Sequence, residues 1–366
     1  GDRKTVGTMT SGGTESILNA IRAYRDRARD KKKIKNPEII LPSTAHPAFH
    51  KAGHYFNVKM VIAPLNESFK VDTKIVEEKI NENTIAIVGS APCYPYGVID
   101  SIPVLADIAK KNKLGLHVDA CLGGFFLPWM EDAGYPVDTP WDFQVDGVTS
   151  ISLDAHKYGY APKPASVIMY KNDKYRKYQF YVYSDWCGGV YGSPSVPGSR
   201  PGGAIAAAWA TLKGLGQQGY INACRDTMKI AGKMCKGIDS IEELQIIGKP
   251  VMGIYSWNFK EGIDLDFFKL IDIMEEKGWL INRMQNPNAA HHMTSRVHEP
   301  IIEIFLEDLQ DSIDKLRKLP DEPAKSGQAA MYGMMASFDD REKIDELVRG
   351  FLLNEYTYTG KNKTKK

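Results

Sequence analysis

Short apolar runs alternate with helical patterns between Glu38 and Tyr170, and this alternation constrains the fold more than any other feature of the sequence. Several of the runs are apolar throughout, which is typical of parallel strands that are buried on both faces. The sequence therefore predicts an α/β fold with a mostly parallel sheet covered by helices. The predicted strands are Glu38–Pro42, Val58–Ala63, Thr84–Ser90, Leu114–Val118, Gly147–Leu153 and Ala165–Tyr170.

Residues with helical spacing predict the helices that accompany these strands. They run from Thr10 to about Asp30, through His50 and His54, and over Asp72–Asn81, Ile102–Lys111, Ala204–Leu215 and Ala223–Ile238. After Ile241 the pattern becomes mixed. It predicts strands at Ile254–Phe259 and Trp279–Met284, a helix at Leu265–Glu276, a strand followed by a helix within Ile301–Leu319, a loop at Asp321–Gln328 and a helix at Arg341–Leu353.

This change of pattern predicts two domains. Residues 1–240 are expected to form a large domain and residues 241–355 a smaller α+β domain. Residues 356–366, which are polar and basic, are expected to be a disordered tail.

Composition excludes several classes of function. The formal net charge of +2 over 366 residues gives no indication of a nucleic-acid partner. The five cysteines form no Cys-x-x-Cys pair and the eight histidines have no ligand spacing, so neither a disulfide framework nor a metal site is expected. No apolar run is long enough to span a bilayer, and no signal peptide is recognisable.

Polar side chains follow several of the predicted strands directly. They are His46, Ser90, Asp119, His156 and Lys157. In a parallel sheet the carboxyl ends of the strands meet at one edge, which is where ligands bind. The sequence therefore predicts a ligand site formed by these residues.

Lys157 is the main candidate for a reactive group. It follows the strand Gly147–Leu153, where burial is expected to lower the pKa of its ammonium and suit it to form a Schiff base. The alternative is a solvated lysine in a surface loop. His156 before it and Asp119 at another strand end favour the reactive interpretation, because pyridoxal phosphate (PLP) needs a lysine and a carboxylate.

The other parts of a PLP site can also be assigned from the sequence. Asp119 could hold the pyridine nitrogen in its protonated form. Ser11, Gly12, Gly13 and Thr14 open a helix and could bind the phosphate, although an ordinary capped helix start is the alternative. His46 could stack on the ring, or be a hydrogen-bonded loop histidine. A second glycine turn, with Ser199, Gly202 and Gly203, is also suited to a phosphate.

Four motifs together resemble the sphingosine-1-phosphate lyase family. They are Thr10-Ser-Gly-Gly-Thr-Glu-Ser16, His117-Val-Asp-Ala-Cys-Leu-Gly-Gly124, the lysine motif from Gly147 to Lys163, and Gly198-Ser-Arg-Pro-Gly-Gly203. The resemblance covers nearly the whole chain, including Tyr332-Gly-Met. It implies a PLP-dependent transferase fold of type I, similar to aspartate aminotransferase, and a homodimer with shared active sites.

The resemblance also implies a reaction. A phosphorylated long-chain base would be cleaved between C2 and C3 to a fatty aldehyde and phosphoethanolamine. Lys157, His156, Tyr94 and Tyr96 are the candidates for the base that takes the proton from the C3 hydroxyl. Lys163, stiffened by a proline on each side, is predicted to bind the substrate phosphate with help from Tyr94 and Tyr96.

Two alternative functions remain at this point. One is a PLP-dependent amino-acid decarboxylase, which Lys163 disfavours because such a substrate has no phosphate. The other is a non-catalytic protein of the same fold, which the presence of both Lys157 and Asp119 disfavours.

The chain begins at Gly1, so it is expected to be part of a longer protein. In the family an upstream segment completes the partner's active site, and in eukaryotic members a membrane anchor precedes it. The resemblance therefore implies an endoplasmic reticulum enzyme facing the cytosol if eukaryotic, and a cytoplasmic or secreted one if bacterial. The present chain alone is expected to lack full activity, and to contact membranes only through that segment or through its lipid substrate.

Overall fold

The computed structural model describes residues 3–320 and 341–357, which fall into two compact units. One unit comprises residues 3–257 with 291–303, and the other comprises residues 258–290 with 304–320 and 341–357. The predicted loop at Asp321–Gln328, the motif at Tyr332 and residues 358–366 of the predicted tail lie outside the described residues. The domain boundary expected at residue 240 stays a prediction.

The larger unit is built on a sheet of seven strands. They are β1 (Val6–Thr10), β2 (Glu38–Pro42), β3 (Lys59–Ala63), β4 (Thr84–Ser90), β5 (Gly115–Asp119), β6 (Ser150–Leu153) and β7 (Ser166–Tyr170). Their order is β1-β7-β6-β5-β4-β2-β3. From β6 to β3 all neighbours are parallel, whereas β7 is antiparallel to both β6 and β1. The predicted, mostly parallel sheet is confirmed.

Helices of this unit connect and cover the strands. They are α1 (Gly13–Lys32), α2 (Ala48–Phe56), α3 (Thr73–Glu78), α4 (Ile102–Lys111), α5 (Asp173–Arg176) and α6 (Gly202–Asp239). The two helices predicted within residues 204–238 are segments of α6 that meet at Gly216, whose φ of 57° and ψ of −177° interrupt the helical backbone. Only Gly216 interrupts the helix, whereas the predicted helices leave residues 216–222 between them.

The core lies on both faces of the sheet because neighbouring residues of a strand point in opposite directions. On one face, Ile39 and Leu41 of β2 belong to an apolar cluster that includes Ile21 of α1 and Phe49 of α2. On the other face, Ile40 belongs to a cluster that includes residues of α4. Burial on both faces explains why the central residues of β2 and β4 are apolar.

The remaining strands are short. They are β8 (Tyr181–Trp186), β9 (Gly189–Ser193), β10 (Leu244–Ile246), β11 (Ile254–Phe259), β12 (Asn282–Met284) and β13 (Ala289–Met293). The prediction for Ile254–Phe259 is confirmed, and the strand predicted from Trp279 begins only at Asn282. The strand predicted at Ile301 is wrong: residues Arg296–Ile301 form a 3₁₀-helix that leads into a helix, with Pro300 inside it.

Among the described residues of the last third of the chain, three helices follow: α7 (Phe267–Glu276), α8 (Ile302–Leu316) and α9 (Arg341–Tyr356). In the smaller unit, the carboxylate of Asp266 caps the first turn of α7 by accepting from Phe268 and Lys269. The ring of Trp279 packs edge-on against Phe305 of α8, with 5.1 Å between the centroids. Within residues 3–320 and 341–357, no helix is both long and apolar enough to cross a membrane.

Candidate active site

A cavity of about 640 Å³ lies where several strands of the large sheet end and helix α1 begins. It brings together eight of the residues that the sequence predicts for the site. They are Ser11, Gly12, Gly13, Thr14, His46, His156, Lys157 and Lys163. The structure therefore gathers predicted residues from three separate stretches of the chain around one cavity.

The turn that carries Lys157 is held rigidly after β6. Its ends are joined by a hydrogen bond from Ala161 N–H to the carbonyl of Ala155, at 2.9 Å. The hydroxyl of Tyr220 in α6 donates to the carbonyl of Gly159 at 2.7 Å. A Cβ at Gly159 would lie 2.5 Å from the oxygen of Ala155, so the turn can close this tightly only with glycine.

Asp154 forms an ion pair with Lys157, whose Nζ lies 2.9 Å from Oδ2 of the carboxylate. Burial lowers the pKa of the lysine, but the negative charge of the Asp154 and Asp119 carboxylates opposes it, and the pKa lies above its ordinary value. Burial also raises the pKa of the Cys121 thiol, which keeps the thiol neutral. The expected lowering of the Lys157 pKa is therefore wrong, because the argument from burial omitted Asp154.

The imidazole of His156 is fixed on both sides. Its Nδ1 accepts a hydrogen bond from Ala165 N–H at 3.0 Å, so the hydrogen of a neutral ring is on Nε2. Nε2 lies 3.6 Å from Oδ2 of Asp154. A neutral ring in this state has no free lone pair, so the geometry disfavours His156 as the base considered from the sequence.

Asp119 ends β5 and is buried without an ion-pair partner among the described residues. Its Oδ1 accepts from the N–H of Cys121 at 3.1 Å and from the hydroxyl of Ser152 at 3.2 Å. Oδ2 accepts no hydrogen bond from the described part of the chain. The carboxylate is thus oriented through Oδ1, and Asp119 lies at the end of β5 without being one of the residues that line the cavity.

The start of helix α1 offers a cradle for an anion. The first intrahelical bond is from Ser16 N–H to Gly12 oxygen, so the N–H groups of Gly13, Thr14 and Glu15 remain as donors at a positive helix end. A Cβ at Gly13 would lie 2.8 Å from Sγ of Cys121 and 2.9 Å from Asp154, so glycine keeps this cradle free. These donors, Asp119 and Lys157 fit the phosphate, nitrogen and aldehyde of PLP.

Ser11 differs from the prediction. Its N–H and its hydroxyl both point to Oε2 of Glu15, at 2.6 and 2.7 Å, instead of serving as free donors. Glu15 is buried and also accepts from the hydroxyl of Ser195, which brings the loop with Val196 and Pro197 to the cavity. This role of Glu15 was not predicted, although an acidic residue in the first helical turn is a recognisable capping signal.

Two aromatic rings considered for the site lie in different surroundings. The ring of Tyr96 is buried against Phe69, 4.7 Å away between centroids, and is not among the residues that line the cavity. Tyr94 is 41% exposed and does not line the cavity either, but the Lys157 ammonium opposes the rise that burial causes in its pKa. This interaction puts Tyr94 near Lys157, so Tyr94 is the better candidate of the two.

The remaining predicted residues separate into two groups. His46 lines the cavity, and its Nδ1 accepts from Ala48 N–H at 3.1 Å, which fixes the ring at the start of α2. Ser199, Gly202 and Gly203 are exposed at the start of α6 and do not line the cavity. In the described residues no cluster of His, Cys, Asp and Glu is suited to hold a metal ion.

Comparison with known proteins identifies what the chain is similar to. Residues 1–260 match the pyridoxal-dependent decarboxylase conserved domain. Over 359 residues the chain is 45% identical to sphingosine-1-phosphate lyase 1 of Rattus norvegicus, a match that covers 98% of this chain and 62% of the rat protein. The chain thus spans about 62% of the length of this relative.

Two further similarities bear on the site. The structure of a sphingosine-1-phosphate lyase from Burkholderia pseudomallei superposes with a TM-score of 0.82 at 42% identity, covering 86% of this chain and 71% of that one. An L-aspartate/L-glutamate decarboxylase of Pyrococcus horikoshii is 36% identical over 305 residues, which is 83% of this chain and 77% of that protein.

Proposed function

We propose that the chain cleaves phosphorylated long-chain bases to a fatty aldehyde and phosphoethanolamine. The reason is that it belongs to the sphingosine-1-phosphate lyase family of PLP-dependent enzymes. This makes it a carbon–carbon lyase of sphingolipid degradation. The observation that carries the proposal is that Lys163 and Lys157 line the same cavity. A substrate with its own phosphate needs a cation besides the lysine that holds the cofactor.

PLP fits the described residues, and each would hold one part of it. Lys157 would bind its aldehyde carbon, Oδ2 of Asp119 would accept from its pyridine nitrogen, and His46 would stack on its ring. The N–H groups of Gly13 and Thr14 would donate to its phosphate. When bound, this cofactor supplies an electron-withdrawing ring that stabilises negative charge at the substrate carbon next to the amine.

The chain's own groups would orient the substrate and move its protons. Lys163 would hold the substrate phosphate at the exposed side of the cavity. Lys157 would take the proton from the C3 hydroxyl, because the carboxylate 2.9 Å from its Nζ stabilises the ammonium that forms. Tyr94, whose pKa is raised by burial, stays protonated at neutral pH and would act as a hydrogen-bond donor to the substrate.

Product analysis tests this function directly. The purified protein, loaded with PLP, is incubated with sphingosine 1-phosphate, and the products are identified by mass spectrometry. We expect a long-chain aldehyde and phosphoethanolamine in equal amounts. Absence of both from protein that carries a full complement of cofactor would contradict the proposal.

Amino-acid decarboxylation is the second candidate, supported by the similarity to the Pyrococcus horikoshii decarboxylase. A decarboxylase substrate has no phosphate, so Lys163 could bind only a carboxylate of aspartate or glutamate. Release of CO₂ from aspartate or glutamate, measured beside aldehyde release on the same protein, separates the two candidates.

A homodimer belongs to the same proposal. The hairpin β8–β9 and the first turns of α6 expose several large apolar side chains, which is unusual for a surface that stays in water. They are Tyr181, Val182, Trp186, Val190, Ile205 and Trp209. The exposed turn Ser199–Gly203 lies between these two elements and would reach the cofactor phosphate of the partner. A stable monomer with PLP bound, observed by light scattering, would contradict this arrangement.

A further inference from the structure

We propose that Asp154 is a positioning residue that holds Lys157 as an ammonium before the protein takes up its cofactor, and so sets the pH at which the lysine captures the aldehyde. The inference rests on the proposed role of Lys157. It assigns to Asp154 a control over cofactor loading that is separate from the reaction with substrate.

The geometry of Asp154 leaves its carboxylate little freedom. Asp154 is 1% exposed, and its Oδ1 accepts from the hydroxyl of Ser166 at 2.6 Å. The carboxylate also lies against the first turn of α1, where a Cβ at Gly13 would approach Oδ2 to 2.9 Å. Oδ2 is therefore held in place for the ion pair with Lys157, at 2.9 Å from Nζ.

Other groups around Lys157 do not replace this partner. Cys121 and Asp119 approach it from the end of β5, and Tyr94 from the segment after β4. The Cys121 thiol and the Tyr94 phenol both have raised pKa values and are neutral near pH 7. Asp119 contributes least of the charges that raise the pKa of Lys157, so the Asp154 carboxylate is its main anionic partner.

Four more titratable residues line the same cavity: Glu15, His46, His156 and Lys163. The oxygens of Glu15 accept from Ser11 and Ser195, and Nδ1 of His46 accepts from Ala48 N–H. His156 lies with Nε2 against Asp154, and Lys163 carries the same charge as Lys157. Within the described residues, therefore, none of these four forms an ion pair with Lys157.

Capture of the aldehyde requires a neutral amine. The nitrogen forms its bond to the aldehyde carbon with its lone pair, and the aldehyde oxygen leaves as water with the two hydrogens of the amine. An ammonium has no lone pair to offer. Because Asp154 favours the ammonium, it slows capture near neutral pH, and the same charge makes the amine a stronger base during turnover.

The test measures capture and turnover separately. Cofactor-free protein is mixed with PLP at a series of pH values, and the rate is followed by absorbance, with borohydride reduction and mass spectrometry to identify the modified lysine. In Asp154→Asn we expect capture near neutral pH to be about tenfold faster and the pH profile to move to lower pH, while turnover of the loaded enzyme falls. An unchanged rate and profile would overturn the proposal.

Pyridoxal, which lacks the phosphate, serves as a control for a different effect of the same carboxylate. If Asp154→Asn accelerates capture of PLP but not of pyridoxal, then Asp154 acts by repelling the phosphate and the proposal is wrong.

Asp146→Asn is the matched control variant. Asp146 also pairs with two lysines, Lys110 and Lys171, but it is exposed and lies outside the cavity. It should leave the capture rate unchanged.

Wild-type protein provides a second measurement that does not depend on the variant folding. The pH dependence of acylation of Lys157 is measured in the cofactor-free molecule. We expect Lys157 to become reactive only above the ordinary pKa of a lysine, and reactivity at lower pH would overturn the proposal. Borohydride trapping of PLP at a lysine other than Lys157 in the wild type would instead contradict the proposed function.

Discussion

The ring of Tyr94 packs on the ring of His291, with 4.0 Å between their centroids. Nδ1 of His291 lies 3.2 Å from the carbonyl oxygen of Pro95, so Nδ1 carries the hydrogen of the neutral ring. Burial lowers the pKa of His291 to about 4, which keeps the ring uncharged at neutral pH. Tyr94 is therefore held near Lys157 by a fixed and neutral partner.

This packing makes Tyr94→Phe a clean test, since phenylalanine keeps the contact with His291 and removes only the hydroxyl. We expect kcat to fall by about tenfold, as for the loss of one hydrogen bond made during the reaction, with cofactor loading unchanged. Steady-state kinetics and the absorbance of bound PLP measure both quantities. Tyr96→Phe is the control, and an equal effect of the two variants would contradict a specific role for Tyr94.

Asp119→Asn should separate cofactor binding from catalysis. Asparagine can still accept from Cys121 N–H and Ser152, but it cannot provide the charge that keeps a pyridine nitrogen protonated. The lost charge-assisted bond should cost about 1.5–3 kcal/mol in cofactor affinity, and turnover should fall further. Titration calorimetry and kinetics on the same preparation measure the two effects. Wild-type turnover in this variant would exclude the proposed role.

The sequence predicts the sheet well because its strands are buried on both faces. A run such as Thr84–Ser90 can be recognised locally, since every residue in it is buried. The strand Val6–Thr10 was not predicted because it is short, contains Gly7 and is only partly buried. Its partner β7 is distant in sequence, and no local pattern reports such a pairing.

The candidate site could be predicted only at the level of residue types at strand ends. The motif around Lys157 contains Asp154, but only the structure brings its carboxylate to 2.9 Å from Nζ and reverses the expected shift of the lysine pKa. Likewise, the contact of Ser195 with Glu15 joins residues 180 positions apart. Long-range contacts of this kind decide pKa values and donor availability, and a local pattern does not contain them.

Gly13→Ala tests the cradle at the start of α1. The added methyl would lie within 2.9 Å of both Cys121 Sγ and Asp154, and the hydrogen bond from Ser166 restrains the carboxylate. We expect a loss of about 1–3 kcal/mol in the free energy of unfolding and weaker binding of PLP. Gly232→Ala in α6 is the control, because no atom lies within 4 Å of its added methyl. Equal behaviour of the two variants would contradict the prediction.

Asp100 is expected to make the free energy of unfolding depend on pH. Its buried carboxyl accepts from Val71 N–H at 2.7 Å and Ser90 N–H at 2.8 Å, but burial dominates and raises its pKa to about 6. Since this pKa is above the unfolded value, the stabilising contribution is complete below about pH 4 and is lost as the pH rises through about 6. Relative to Asp100→Asn, the wild-type free energy of unfolding should fall by up to about 3 kcal/mol over this window. Denaturant titrations of both proteins measure it, and a pH-independent difference would contradict the assignment.

Substitution of Lys163 tests whether the substrate carries the phosphate that we propose. Lys163→Ala should remove a charge-assisted contact to the substrate phosphate, which costs about 1.5–3 kcal/mol, or one to two powers of ten in affinity. We expect KM for sphingosine 1-phosphate to rise by about that factor, while capture of PLP by Lys157 stays normal because Lys163 is not its ligand. Lys171→Ala is the control, since Lys171 pairs with Asp146 outside the cavity. A normal KM in Lys163→Ala with full cofactor loading would mean that the substrate phosphate is bound by other residues.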